Sequence, residues 1–474
     1  MPITTTFLNQ RIELFDGMYD LDRHHQFNAV RHLYNRTIGP VTAVNLYRPE
    51  LLDLSMYSCS CKHAPFGALM RDLTVKAGVA DTVFIPGGGK GGTLQQAFLG
   101  ALGEVAERLL AILHFQAIVG QLLFATYKQL VQQGLRALGP DELPLFAAEQ
   151  YAARGFRYVP FREDTPLRWL EGTNLLTGET ILVPAQIMLI YYKHHPAEAH
   201  IGYPTTGGLA FHSDRRRAIL HGLYEYIERD AINLRWYCRL APSRVELDLN
   251  DFLAAHFDIR QARMATPFID GVKVYLNTLD IPVPVLTAIA VDKNRAARAF
   301  LGGGGAWSGR ERALSQALFE LGQSRTALKF YAPMGLKDIR ADSTVEEMTD
   351  FFDAAVYFGY ADNLPRLSWY TADRSSVPWE SVPSLQFKDE EDEYRVLMRM
   401  MGSAGFTPIL FDFSGACWPG VSVTKLFIPE LTQACIPSTP YLGHPRFAHV
   451  PKALGLRDRT LAFADFTPDP VPFP

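Results

Sequence analysis

The sequence predicts one large mixed α/β unit (α+β), with mixed sheets and packed helices. Three observations carry that expectation. Short β-branched and aromatic runs recur between stretches long enough for helices. Hydrophobic residues make up 48% of the 474 and charged residues 20%, the mixture of a folded globule. No Ser- or Pro-rich linker of useful length divides the chain.

In order, residues 41–46 and 83–85 read as short strands, and residues 87–92, with Lys90 among the glycines, as a loop. Thr93 then opens a helix, Gln96 completing a capping box. Residues 109–127 are mostly apolar but interrupted by His114, Gln116 and Gln121, which fits a buried helix better than a membrane span. Residues 180–183 and 187–192 are β-like. Residues 214–237 form a long helix with Ser213 as N-cap. Residues 272–276 and 285–291 are strands, 302–305 a second glycine run, and Ser308 with Glu311 opens a helix to about Phe330. The acidic run 389–393 suits a helix start and its dipole. The last residues, Pro470-Val471-Pro472-Phe473-Pro474, prefer an extended conformation.

A net charge of −4 and a pI near 6.4 argue against a nucleic-acid or anionic-membrane binder. Five cysteines (Cys59, Cys61, Cys238, Cys417, Cys435) are too few and odd in number for a disulfide framework, so a cytoplasmic setting is expected. The N-terminus lacks the basic and apolar regions of a signal peptide.

The chemistry concentrates in an internal echo. Glu104-Val105-Ala106-Glu107-Arg108 lies in the first long helix and Glu225-Tyr226-Ile227-Glu228-Arg229 in the second. Positions i and i+3 share a helix face, so each segment presents two carboxylates side by side, with an arginine close to the same face. If the helices lie together, four carboxylates converge and call for cations. Hard oxygen ligands suit magnesium, which bridges carboxylates to phosphates, and the arginines suit phosphate oxygens. A di-iron site would need Glu-x-x-His pairs, which the sequence lacks. The competing reading is a pair of wet Glu–Arg ion pairs. Glycine amides running into a helix start can cradle phosphate, although the spacing around Lys90 is not that of a Walker A loop, since Phe84 stands where glycine is needed. Glu320, Gln323 and Arg325 read as a polar helix face. His194, His195 and His200 match no zinc spacing and read as an exposed loop.

Taken together, these segments resemble the YcaO family. Gly89-Lys90-Gly91 through Glu107-Arg108 is similar to its first motif, residues 205–210 and 218–230 to its second, and residues 317–325 to its third. The Pro-x-Pro-x-Pro tail resembles that of its azoline-forming branch, as do residues 169–172 and 182–185. The resemblance spans about residues 36–474. It implies an ATP-dependent cyclodehydratase of ribosomal precursor peptides. A substrate Cys, Ser or Thr attacks the preceding carbonyl, the oxyanion takes the γ-phosphate of ATP, and phosphate leaves to give a thiazoline or oxazoline. By the same resemblance Glu104, Glu107, Glu225 and Glu228 hold Mg2+. Lys90, Arg108, Arg229, Gln323 and Arg325 bind ATP, and the Pro474 carboxylate is catalytic. One domain over residues 1–466, more divergent before about residue 75, followed by a tail over 467–474, is the implied organisation.

The chain departs from the family pattern at Gly100 (usually Ser), at Thr206-Gly207-Gly208 (usually Ser-Asn-Gly), and at Ser213 and Arg217, where Asn and Glu are usual. Arg217 reverses a charge beside the implied metals. The alternatives are another amide activation, to a thioamide or amidine, and a non-catalytic docking scaffold. The implied partners are the precursor peptide and a separate E1-like leader-binding protein, with room for a flavin dehydrogenase and a homodimer, and no nucleic acid or membrane.

Overall fold

The computed structural model describes residues 87–256, 271–291, 301–331, 338–414 and 420–473, with shorter stretches before residue 64. The expected strand 83–85, Cys417 and Pro474 lie outside them. The mixed α+β class is observed.

A hairpin of β1 (Thr4–Phe7) and β2 (Gln10–Glu13) comes first. β3 (Val41–Tyr47), β4 (Tyr57–His63) and β5 (Gly88–Gly91) form an antiparallel sheet. A six-stranded sheet takes β6 (Leu123–Thr126), β7 (Pro166–Asn174), β8 (Thr180–Pro184), β9 (Leu209–His212), β15 (Ile409–Asp412) and β16 (Ser422–Phe427), in the order β6-β7-β15-β16-β9 with β8 also on β7. A five-stranded sheet takes β10 (Ser243–Glu246), β11 (Val272–Leu276), β12 (Val285–Ala290), β13 (Leu301–Ala306) and β14 (Ser376–Pro378), in the order β13-β12-β11-β10-β14.

Three long helices join these sheets in a ring. Helix α1 (Leu94–Ile118) packs on β4 and β5 and also on β9. Helix α2 (Arg215–Tyr237) packs on β9 and β16 and also on β13. Helix α3 (Arg310–Tyr331) packs on β12 and β13 and reaches β5. Each helix therefore bridges two sheets, and the three surround one interior space. Their apolar stripes make the core: Ala101, Val105 and Ile112 on α1, Leu223, Ile227 and Leu234 on α2, Leu314, Leu318 and Leu321 on α3 are all buried.

The glycine run expected as a loop is strand β5, the second glycine run is strand β13, and the reason for glycine in both is close approach. A Cβ on Gly89 would stand 1.7 Å from the Ala97 carbonyl oxygen, and one on Gly303 would stand 2.3 Å from that of Ala317. The strand backbones lie directly against α1 and α3, a place only glycine can occupy. Gly89→Ala is therefore expected to cost at least ~3 kcal/mol, read as a lowered midpoint in thermal unfolding. Gly120→Ala, with nothing within 4 Å of the new methyl, is the neutral control. Equal midpoints for both variants would refute the close-packing account.

Other local expectations shift. Residues 185–188 are a short helix, with the β-like run over 187–192 not formed. The buried helix expected over 109–127 ends at Ile118, and the chain re-enters as edge strand β6. Asp214, not Ser213, caps α2, its carboxylate accepting from the Arg217 amide at 3.1 Å. Helix α4 (Glu390–Ser403) starts on the acidic run as expected, with Asp389 as its cap.

Candidate functional site

The site is the space enclosed by α1, α2 and α3. Glu104, Glu107 and Arg108 reach it from α1, Glu225, Glu228 and Arg229 from α2, and Glu320 and Gln323 from α3. Lys90 projects from β5 into the same charge cluster and pairs with Glu320. Its ammonium also feels Glu104, Glu228 and Glu225. The two Glu-x-x-Glu-Arg segments thus do face one another.

The alternate glycines of the two strands shape this space. A Cβ on Gly88 would stand 2.7 Å from Gln323 Nε2, and one on Gly304 would stand 2.8 Å from Glu228 Oε1. One face of each glycine strand presses on a helix while the other lies close against side chains of the charge cluster.

The electrostatics are those of a cavity short of positive charge. Glu107, Glu225 and Glu228 keep part of their surface accessible although protein encloses them, as groups lining a deep cleft do. Burial lifts the Glu107 carboxyl well above its ordinary value, against the pull of Arg108. Burial raises Glu225, which Arg229 and the Gly208 amide at 3.1 Å draw back. Burial also raises Glu228, opposed by Arg229 and Lys90. Lys90 itself is lowered by burial to about 8. Glu104 differs from the others: its carboxylate accepts from the Gly88 amide and from Arg108, so ligating a metal would require it to exchange those partners.

The remaining expected residues fall around this centre. Arg229 Nη1 donates to the Phe473 carbonyl at 3.3 Å, which brings the tail to the site. Arg325 is buried, two positions from Gln323 and hence on a different face of α3. Arg217 lies at the start of α2 and pairs with Glu390 of α4, both side chains about half exposed; its charge is answered locally. Gly100 is close to β5, its Cβ position 3.4 Å from the Gly89 Cα. The ring of His194 stacks on that of His200 at 3.8 Å, and His194 Nδ1 stands 3.8 Å from Glu198, more enclosed than an exposed loop. Cys59, Cys61, Cys238 and Cys435 are free thiols, and burial pushes Cys59 and Cys61 up to about 12.

Sequence reasoning missed three contributors. Glu320 was visible only as part of a polar face, and its spacing to Gln323 was the available signal. His221, one turn before Glu225 on α2, is held below its ordinary value by the surrounding protein and by Lys90 and Arg312, although part of its surface is exposed. Lys425 carried no signal, since a lone lysine inside the apolar strand β16 belongs to no pattern.

Comparison with known proteins decides the family. The model described as "YcaO cyclodehydratase, ATP- and Mg2+-binding" matches residues 88–432. The chain belongs to the YcaO family. Among curated relatives, an uncharacterized protein of Methanothermobacter thermautotrophicus is 27% identical over 273 residues, which cover 56% of this chain and 65% of that one. An uncharacterized protein in the tfuA 3′ region of Rhizobium leguminosarum bv. trifolii is 31% identical over 172 residues, covering 34% of this chain and 39% of that one. The chain thus spans less than two thirds of either. Among solved structures, a heterocyclase in complex with substrate and cofactor superposes with a TM-score of 0.75 at 22% identity, covering 94% of this chain and 57% of that chain. YcaO from Methanopyrus kandleri, bound with AMPPCP and Mg2+, superposes with a TM-score of 0.57 at 18% identity, covering 86% and 88%. The E. coli microcin synthetase McbBCD complex gives 0.55 at 15% identity, covering 93% and 98%. These superpositions show the YcaO fold.

The residues of this YcaO chain fit ATP and Mg2+ by their chemistry. Enclosed carboxylates whose ionisation burial opposes are hard-oxygen groups in need of a cation. Among the described residues no three His, Cys, Asp or Glu side chains are grouped to hold a metal by themselves. Among the described residues, no helix is long and apolar enough to cross a membrane.

Proposed function

We propose that this YcaO protein is an ATP-dependent cyclodehydratase that activates backbone amides of a precursor peptide, forming azolines from Cys, Ser or Thr. The observation that carries the reading is the convergence of the two Glu-x-x-Glu-Arg faces on Lys90 inside the helix ring. The implied domain division is kept: one unit to residue 466, then a tail. Two proteins are assigned as partners, the peptide and a separate leader-binding protein.

Glu107, Glu225 and Glu228, with Glu104 at the edge, would hold Mg2+, which neutralises phosphate charge as it develops. Arg108, Arg229 and Lys90 would bind phosphate oxygens; Gln323 and Arg325 complete the proposed nucleotide set. Fixed donors in an enclosed space act more strongly on transferring phosphate than they would in water. Enclosure also excludes water, which would otherwise compete with the peptide oxyanion for phosphorus. The tail supports the peptide side of the reading. Phe473 is buried against Tyr370 at 5.7 Å between ring centres. Trp236 Nε1 holds the Asp469 carbonyl at 2.8 Å, and Arg366 holds its carboxylate at 2.7 Å. A tail docked in this way brings the chain's last residues towards Arg229, where the Pro474 carboxylate is proposed to take the amide proton.

The test combines purified protein, ATP, Mg2+, the leader-binding protein and a Cys/Ser/Thr-rich peptide encoded beside the gene. The expected product has lost one water per ring, with one phosphate released for each. ATP consumption with oxygen-for-sulfur exchange in the peptide would favour thioamide formation instead.

Nucleotide binding should be coupled to protons. The Glu107, Glu225 and Glu228 carboxyls are raised above their ordinary 4.5, so folding favours their protonated form. Their contribution to stability is full below about 4.5 and is lost as the pH rises through the raised values. Mg2+ requires the ionised form, so its binding expels those protons. Titrations of a non-hydrolysable ATP analogue with Mg2+, above pH 4.5 and in buffers of different ionisation enthalpy, should show proton release and an affinity that rises with pH. Heats independent of the buffer would count against these carboxyls as the metal ligands.

A further inference from the structure

One charged side chain stands at the floor of the site without a role in the preceding account. Lys425 lies in the interior of β16, paired in register with Phe411 of β15 and Leu209 of β9. It is only 2% exposed. Burying an ammonium costs several kcal/mol unless its surroundings compensate, so what surrounds Lys425 indicates its use. Its Nζ donates to the Met188 carbonyl at 3.0 Å and to the Thr205 carbonyl. The charged groups acting on it are Glu225 of α2 and Glu107 of α1, one from each Glu-x-x-Glu-Arg segment.

The Thr205 contact has a structural consequence. Residues 205–208 cross under α2, and the Gly208 amide at their end donates to Glu225 Oε2 at 3.1 Å. The neighbour of Lys425, Leu426, donates its amide to the Gly208 carbonyl at 2.8 Å. That crossing is tight. Gly208 has φ +76, a Cβ on it would stand 2.2 Å from the Leu426 carbonyl oxygen, and a Cβ on Gly222 of α2 would stand 2.6 Å from the Gly208 carbonyl oxygen. Lys425 and Leu426 therefore hold the two ends of this segment against the sheet.

Building on the Mg2+–nucleotide reading of the site, we infer that Lys425 is a positioning residue. Its Nζ clamps residues 205–208 beneath α2, so that the Gly208 amide aims Glu225. Burial draws this ammonium down to about 7, while the two carboxylates draw it back up.

Lys425→Met tests this, because methionine fills similar space without charge or donors, and replacing a buried charge by an apolar group commonly leaves stability unchanged or raised. Three measurements are made on the full chain. Amide hydrogen exchange without ligand should quicken at least ~10-fold over residues 203–212 and stay unchanged in α3. Calorimetry with a non-hydrolysable ATP analogue and Mg2+ should show at least ~10-fold weaker binding, the scale of a lost charged hydrogen bond. In a Glu225→Gln background the same substitution should weaken binding by less than ~3-fold, because the aimed carboxylate is already gone. Unchanged exchange over 203–212, or faster exchange everywhere, overturns the clamp. Equal losses in both backgrounds overturn the link to Glu225. Should the wild-type chain bind no nucleotide, the reading of the site fails, and the exchange comparison still decides the clamp.

Discussion

Glu228→Gln is expected to lower turnover by ~100-fold or more, the scale of removing one group that stabilises developing charge, while the unliganded protein melts no lower than wild type. The two effects have opposite signs for one reason. Glu228 is enclosed between Arg229, Lys90 and the glycine strand β13, and its ionised form is disfavoured there. Glutamine keeps the shape and removes the charge, so the folded state is relieved of a strained carboxylate. The same exchange removes an oxygen ligand that a cation needs. Glu107→Gln should behave alike, because burial raises that carboxyl too. Calorimetry with a non-hydrolysable ATP analogue and Mg2+, beside thermal unfolding without ligand, separates the two effects. Wild-type nucleotide affinity in both variants would reduce the glutamates to ion-pair partners of Arg108 and Arg229.

Deleting residues 470–474 is expected to cut ring formation at least ~10-fold, the scale of one lost catalytic interaction, with a smaller change in nucleotide affinity. The segment is docked: Pro470, Pro472 and Phe473 are buried. The Phe473 carbonyl is the acceptor that Arg229 uses at 3.3 Å. Removing it takes away one acceptor of Arg229 but leaves Glu107, Glu225 and Glu228 in place, which is why nucleotide binding should suffer less than the peptide step. Phe473→Leu, which keeps an apolar group and the backbone carbonyl, is the control for lost packing. The decisive reading is peptide mass after incubation with ATP, Mg2+ and the leader-binding protein. Equal water loss with full-length and truncated chains would remove the tail from the reaction.

Residues that share a helix were legible in the sequence. The spacing of Glu104 to Glu107 and of Glu225 to Glu228 places each pair on one face whatever the tertiary structure, and strand β11 was read at its observed bounds because its pattern is local. What failed was everything decided by a distant neighbour. The glycines of β5 look like a loop until α1 lies against them, and the run in β13 gave no sign of its place against α3. Arg217 looked like a charge reversal at the metals, whereas Glu390, far along the chain on α4, answers it. Lys425 could not be found at all, since its partners Met188 and Thr205 are 237 and 220 residues away.

The ring of three helices also bears on when the protein can first act. Lys90 and Glu320 meet across 230 residues, and Arg229 meets the tail across 244. Contacts of such separation form late, because the loop entropy they close must be overcome first. The charge cluster draws on distant segments: a nascent chain lacking β16 has no Lys425, and one lacking α3 leaves Lys90 without Glu320. Binding of an ATP analogue at the proposed nucleotide site therefore reports that the segments from β5 to β16 have all reached their places.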